Sequence, residues 1–399
     1  MKSGWVIKKL GEVCELIGGG TPSIHESSYY GGNIPWATVR DMNCRVIEKT
    51  ERTITRKGLE NSASNVIPAG NVIISTHVGL GKVCFVAQDT AINQDLKGVI
   101  PLADTIQRSF LYYWFLSIAE YLEKSGTGST VRGVKLDFVK NLEFPVPSLP
   151  EQKRIVAKID AAFEKIDKLK ANAERNLANA KELFQSALDE AMRPKKGWVE
   201  KRLGEVCSKI GSGATPKGGR NSYRADGISL IRSMNVYDHA FKYDELAHIN
   251  EVQAKLLENV TIEQDDVLIN ITGASVARCC VVPNDVLPAR VNQHVSILRI
   301  ANRKVLEPDF LCYSLITKEC KVRLLGIGEA GSTRQALTKS DLQSFTISMP
   351  MIIEQRQIVN RLDILAEKTK LLEQNYTRQI ADCAEMRQSV LRDAFEGRL

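Results

Sequence analysis

The chain has 399 residues, a net charge of +7, 43% hydrophobic and 6% aromatic residues, and nine cysteines. No apolar run approaches membrane-spanning length, the opening MKSGWVIKKLGE lacks the apolar core of a secretory signal, and the odd cysteine count contains no CxxC pair, so the expectation is a cytoplasmic protein with reduced thiols and no structural metal. The charge excess is spread thinly, +2 over 1–150, +3 over 151–196, +2 over 197–353 and 0 over 354–399, and since phosphate neutralisation supplies most of the affinity of a protein that holds nucleic acid alone, any DNA contact here is expected to be local or shared with a partner.

The first unit opens on GWVIKKLGEVCELIGGGTP, Gly4 to Pro22, and the phrase returns as GWVEKRLGEVCSKIGSGATP at Gly197 to Pro216. A repeat of this length at half the chain makes each half one structural unit. The match continues in chain order. RDMN at 40–43 returns as RSMN at 232–235, NQ at 93–94 as NQ at 292–293, GST at 128–130 as GST at 331–333, EQKRIV at 151–156 as EQRQIV at 354–359, and QSALDEAM at 185–192 as QSVLRDAF at 388–395. The interiors diverge, as a shared frame with different reading surfaces would.

Within each unit, β-rich runs (NVIIST, KVCFVAQ, GVIPL; DVLINIT, RCCVVP, VSILRI) precede one helix-like run (FLYYWFLSIAEYLEK; FLCYSLITKECKVRLL), which predicts an α+β domain. After each unit comes a long stretch rich in Ala, Glu, Lys, Gln and Leu. Ile155, Ile159, Ala162, Ile166, Leu169, Ala173, Asn176, Ala180, Leu183 and Ala187 alternate spacings of four and three, and Ile358, Leu362, Leu365, Thr369, Leu372, Tyr376, Gln379, Cys383, Met386 and Val390 repeat them 203 positions on. Seven-residue periodicity held this long predicts a coiled-coil seam, with each helix the antiparallel partner of the other. Pro150 and Pro194 bracket the first helix, and its rise makes a rod of roughly 60 Å. The expected division is 1–150, 151–196, 197–353 and 354–399, a pseudo-twofold repeat of domain and helix.

Catalytic motifs do not survive inspection. GIGEAG at 326–331 follows a helix-like run and not a strand, so it reads as a helix end. Pro308, Asp309, Glu319 and Lys321 mimic a nuclease core, yet Asp309 reads as a helix N-cap with the other two far along the same helix. GSTVRGVK at 128–135 lacks the GK[ST] of a phosphate loop, no DPPY or NPPY tetrapeptide exists, and His25, His77, His239, His248 and His294 have no metal-ligand spacing. The chain is expected to do no covalent chemistry.

Together the GWxxKxLGEVC openings, IPWATVRDMN and ISLIRSMN, NVIIST and DVLINITG, NQD and NQH, the two GST phrases, P-x-x-x-EQ-x-x-IV before each helix, and the terminal SVLRDAFEGRL resemble the specificity (S, HsdS) subunit of a type I restriction-modification enzyme, end to end. That resemblance implies two target-recognition domains, each reading one half of a bipartite double-stranded DNA sequence, with the helices as a ruler. It implies two modification subunits that use S-adenosylmethionine, and restriction subunits that use ATP and Mg²⁺, with no cofactor held by this chain itself. The other readings are a non-reading scaffold or anti-restriction protein, which an acidic excess on the loops would favour, and a fused methyltransferase-endonuclease, for which the chain has no spare length.

Polar residues beside turns are the expected DNA readers, since Asn, Gln, Arg and Ser side chains supply the donor and acceptor patterns that the major groove distinguishes. In the first unit these are Thr21, Ser23, Arg40, Thr76, His77, Lys82, Ser129, Thr130 and Arg132. In the second they are Thr215, Lys217, Arg232, Asn235, Asn270, Thr272, Ser275, Arg278, Thr333, Arg334 and Gln335. Asn93, Gln94, Asn292 and Gln293 are expected instead to tie loop backbone.

Overall fold

The computed structural model describes residues 5–127, 133–329 and 336–399, and the chain divides into one unit of 1–174 with 378–399 and a second of 175–377.

At the centre of the first unit is a five-stranded sheet in the order Cys14–Gly18, Leu96–Pro101, Val72–Ser75, Val83–Val86, Val46–Ile47. Its middle strands are unbroken apolar runs because both faces are covered. Successive side chains point to opposite faces. Val72, Ile74 and Val83 enter a core shared with Phe110, Phe115, Ile155 and Ile159 of the helices. Ile73, Cys84 and Val86 enter another, shared with Ala37, Ile67 and Ile92 of a second, four-stranded sheet. Each such side chain, fully buried, contributes about 1.5–3 kcal/mol.

The second unit repeats the plan. Its central sheet runs Cys207–Ser212, Val295–Ile300, Val267–Asn270, Cys279–Val281. Val267, Ile269 and Cys279 face the helices, and Leu268 and Cys280 face the core of the second sheet. The copies part company after the RDMN and RSMN phrases. There the first unit adds strand Val46–Ile47 parallel to Val83–Val86, whereas the second folds Val236–Tyr237 back on Ala240–Phe241 as a separate hairpin.

The helix expected in each unit is broken in two, into Arg108–Ser117 and Ala119–Ser125, and into Pro308–Ile316 and Lys318–Glu329. Hydroxyls mark both breaks. Ser117 bonds back to the Trp114 carbonyl at 2.7 Å and Thr317 to that of Ser314 at 2.9 Å, and Thr317 Oγ1 also accepts the Cys320 N–H that opens the next helix. Asp309 is not the N-cap but lies in the first turn, after Glu307 and Pro308.

The long helices run Leu149–Ala191 and Ile352–Phe395, so Pro150 sits inside the first turn rather than before it, where its missing N–H costs nothing. Within the first unit they are antiparallel. Arg154 bonds the Leu399 carbonyl at 2.7 Å, and one stretch later Asp167 meets Arg387. The expected seam holds along one row only. Ile159, Ile166, Ala173 and Ala180 are buried on the first helix, and Leu362, Thr369 and Cys383 on the second, but Leu169, Leu183, Leu372, Gln379 and Met386 face solvent. The other buried row on the first helix turns toward the domain cores, where Phe163 packs edge-on against Tyr113 and Phe184 lies against Tyr313. A helix that must cover a sheet as well as a partner cannot give both heptad rows to the partner.

A buried glutamine fixes each helix start. Gln152 accepts the Gln107 N–H at 2.8 Å and donates to the carbonyls of Thr105 and Pro147. Gln355 repeats all three bonds with Glu307, Val305 and Pro350.

Candidate nucleic-acid interface

In each unit four loops gather around the NQ turn. Gly19 and Gly213 bring the loop after the first sheet strand so close that a Cβ would overlap the carbonyl of Asn93 in one unit and of Val291 in the other. That approach lets Thr21 bond the side chain of Gln94, and Thr215 that of Gln293. On the far side of the turn, the Thr76 N–H bonds the Asp95 carbonyl at 2.9 Å and the Ile271 N–H bonds that of His294 at 3.0 Å. The next carbonyls along, of Thr76 and Ile271, accept from Val134 and Leu337, which draws the chain after the GST phrases to the same place.

The hairpin tips at 76–82 and 271–278 therefore project beside the turn. Ser75 N–H to Lys82 O at 3.0 Å and Asn270 N–H to Arg278 O at 2.9 Å close them, so Lys82 and Arg278 occupy equivalent positions, each just before the returning strand. Each cation makes its contact at or just after the RDMN or RSMN phrase, in its own way. Lys82 Nζ donates to Asn43 Oδ1 at 3.0 Å. The Arg278 guanidinium lies 4.5 Å from the centroid of the Tyr237 ring.

The second unit carries a continuous polar relay. Thr215 donates to Gln293, the Gln293 amide meets His294 Nε2 at 3.0 Å, and His294 Nδ1 bonds Thr272 Oγ1. With the Gln293 carbonyl oxygen taken by Thr215, its amide nitrogen is the group left to face His294 Nε2. In the first unit Asp95 stands where His294 does, held by Asn93 Nδ2 at 3.1 Å. Asn93 and Asn292 also accept the N–H two residues on, which pins each turn.

Of the expected readers, Thr21, Ser23, Arg40, His77, Thr215 and Lys217 are exposed, and Lys82, Arg232, Thr272, Ser275 and Arg278 are half-buried. Three are corrected. Thr76, Asn235 and Asn270 have no exposed surface. Thr76 Oγ1 bonds the Asp95 carbonyl, Asn235 accepts the Arg232 N–H and donates to the Lys242 carbonyl, and Asn270 donates to Ser233 O at 2.8 Å, so these side chains brace the loops from beneath. Arg232 is largely committed, to the Glu245 carbonyl and the Tyr223 ring. Ser129, Thr130, Arg132, Thr333, Arg334 and Gln335 lie outside the described residues. Tyr237, His294 and Asn43 were missed. The signal for Tyr237 was an aromatic two positions after the repeated RSMN phrase, where the copies diverge.

The nuclease-like residues do not converge. Lys321 is paired with Asp238, while Asp309 lies 3.9 Å from His239. Among the described residues no group of three or more His, Cys, Asp or Glu side chains is placed to hold a metal ion.

Comparison with known proteins agrees with this two-unit geometry. The family model described as "Type I restriction modification DNA specificity domain" matches twice, over residues 2–177 and 195–380. The MjaIX specificity subunit of Methanocaldococcus jannaschii, a type I restriction enzyme component, is 25% identical over 368 residues, which is 87% of this chain and 83% of that one. The EcoKI specificity subunit of Escherichia coli is 20% identical over 442 aligned positions, all of this chain and 90% of that one. Among solved structures, a chain from a study of type I R-M system assembly and conformational transition superposes with a TM-score of 0.81 at 24% identity, covering 100% of this chain and 99% of that one. The HsdS subunit of Thermoanaerobacter tengcongensis gives 0.58 at 24% identity, covering 100% and 98%. These two establish likeness of fold.

Proposed function

The chain belongs to the type I restriction-modification DNA specificity family, and on that premise we propose that each unit reads one half of a bipartite double-stranded DNA target through the loops gathered at its NQ turn. The observation that carries this is the pairing of Lys82 with Arg278. One frame holds a cation at the same point of both units, and the surroundings differ in kind, Asn43 and Asp95 in one and Tyr237 and His294 in the other. A shared frame with different donor and acceptor sets is what two different half-sites demand.

In this reading the chain is the non-catalytic component. Methyl transfer from S-adenosylmethionine belongs to two modification subunits docked on the long helices, and ATP- and Mg²⁺-dependent cleavage to restriction subunits. The helices set the number of unread base pairs between the half-sites. The modest net charge fits a protein whose grip on DNA is shared with those partners.

The test is to express the chain with the modification subunit of its own operon and sequence the methylated adenines of the host. A two-part motif with a fixed gap, absent when this chain is omitted, is expected. Methylation by the rigorously purified chain alone, lost on a point change in this sequence, would overturn the assignment.

A further inference from the structure

We propose that Arg278 reads a guanine in the half-site of the second unit and that Tyr237 is its positioning residue; this rests on the DNA-reading function above. The backbone of Arg278 is fixed at both ends, its N–H donating to Ser275 O at 3.2 Å and its carbonyl accepting from Asn270. The guanidinium carbon lies over the Tyr237 ring, 4.5 Å from its centroid, a contact that restrains the side chain without using its N–H donors. Among the described residues that guanidinium has no hydrogen-bond or ion-pair partner, whereas the equivalent Lys82 spends a donor on Asn43.

Arg278 lines an open depression of about 460 Å³ together with Met234, Thr272, Gly273, Ala274, Ser275 and His294, and among the described residues no carboxylate lines it. The small residues in its lining leave room for a base edge. A planar fork held against an aromatic ring matches two acceptors in one plane, and guanine O6 and N7 are the base-edge pair with that arrangement in the major groove. A phosphate would be served equally by an unstacked lysine, and has no use for the exposed thioether of Met234 beside it. The site is therefore built for a base.

The experiment uses the chain assembled with its modification subunits and reads the methylation motif of host DNA. The half-site of the second unit is the one retained when residues 14–147 are exchanged for those of a related specificity subunit. That half-site is expected to contain a G·C pair at which Arg278→Gln lowers discrimination by roughly 10- to 100-fold, with every other position unchanged. Tyr237→Leu should relax the same position, Tyr237→Phe should preserve it, and Arg278→Lys, which keeps the charge and loses the fork, should relax it too. Uniform weakening of all positions with rescue by Arg278→Lys would make Arg278 a phosphate contact. That outcome overturns the proposal, as does an unchanged motif or a second half-site without G·C. If the unaltered chain directs no sequence-specific methylation, it is the DNA-reading function itself that fails.

Discussion

Tyr313 donates its hydroxyl to Asp363 Oδ1 at 2.7 Å, and Tyr113 makes the same bond to Asp160, 203 residues earlier on the acid's helix. In both units the bond ties the short helix behind the central sheet to a long helix, and in both a basic side chain from the divergent loop joins it, Arg45 in the first and His239 in the second. Arg45 reaches Asp160 at 3.2 Å across the Tyr112 and Tyr113 rings, and His239 stacks on Tyr313 at 4.2 Å with Nε2 3.7 Å from Asp363. The reading loops are thus fastened to the helices.

Removing the fastening should be felt first as stability and then as recognition. Tyr313→Phe leaves Asp363 without its donor and should destabilise the second unit by about 1 kcal/mol, and Tyr113→Phe the first by a similar amount. Asp160→Ala also frees Arg45, two residues from the Asn43 that holds Lys82, and should weaken reading of the first half-site while leaving the second intact. Chemical denaturation and the methylation motif check the two parts separately.

The buried glutamines should cost more. Gln152→Ala or Gln355→Ala strands one N–H and two carbonyls, and the Pro147 or Pro350 carbonyl among them is buried, so about 1–3 kcal/mol is expected from either. An unfolding midpoint shifted no further than that of Lys153→Ala, on the exposed face of the same turn, would contradict it.

Acidity acts on the second unit with two opposed signs. Burial, then the carboxylates of Asp363, Glu307 and Asp265, push the Asp309 carboxyl up to about 6. A carboxyl that holds its proton more tightly when folded adds stability as pH falls from about 6 toward 4, and that gain is lost as pH rises through 6. The side chain keeps 40% of its surface exposed, which screens the effect. Burial lowers the pKa of His239 against the pull of Asp363, so the unfolded chain takes that proton first and stability drops below the ordinary value near 6.5. Asp309→Asn should therefore steepen the loss of stability on acidification between pH 7 and 4, and His239→Gln should flatten it. Melting curves across that range decide the matter, and parallel slopes for the two variants would refute it.

Thiol chemistry should single out one cysteine. Cys44 is exposed, whereas burial pushes the thiols of Cys14 and Cys84 up to about 12. Alkylation of the folded protein should be fastest at Cys44, and Cys44→Ser should remove the fast phase. Peptide mapping that finds Cys14 or Cys84 modified at the same rate would show the first core to be open.

The spacer prediction concerns Ala173 and its counterpart Tyr376, which lie where each long helix passes from one unit to the other. One heptad inserted after each should lengthen the gap in the methylation motif and leave both half-sites unchanged. Altered half-site bases would count against the helices as a ruler.

How much of this was legible in the sequence depended on whether the deciding contact was local. The strands were legible because two-sided burial writes unbroken apolar runs, and Lys82 and Arg278 were legible as polar residues beside a turn. Thr76, Asn235 and Asn270 looked the same in sequence. What separates them is an acceptor elsewhere in the chain, such as Ser233 O for Asn270, and no spacing rule contains that. The heptads misled in the same way. Leu169 and Leu183 keep the period, yet the competing claim of Tyr113 and Tyr313 on Phe163 and Phe184 rotates the helix away from them.

The first unit borrows its last wall from the far end of the chain. Cys383, Leu391 and Ala394 are buried in the same core as Phe110 and Ile159, and Phe395 lies 5.0 Å from the Phe110 ring. The second unit, residues 175–377, is continuous. During synthesis the usual N-terminal-first order is therefore reversed. The earlier-made half waits on the ribosome with an apolar face uncovered until residues 378–399 emerge, and the later-made half can close before it. A nascent chain stalled short of residue 378 would present that face to chaperones and proteases.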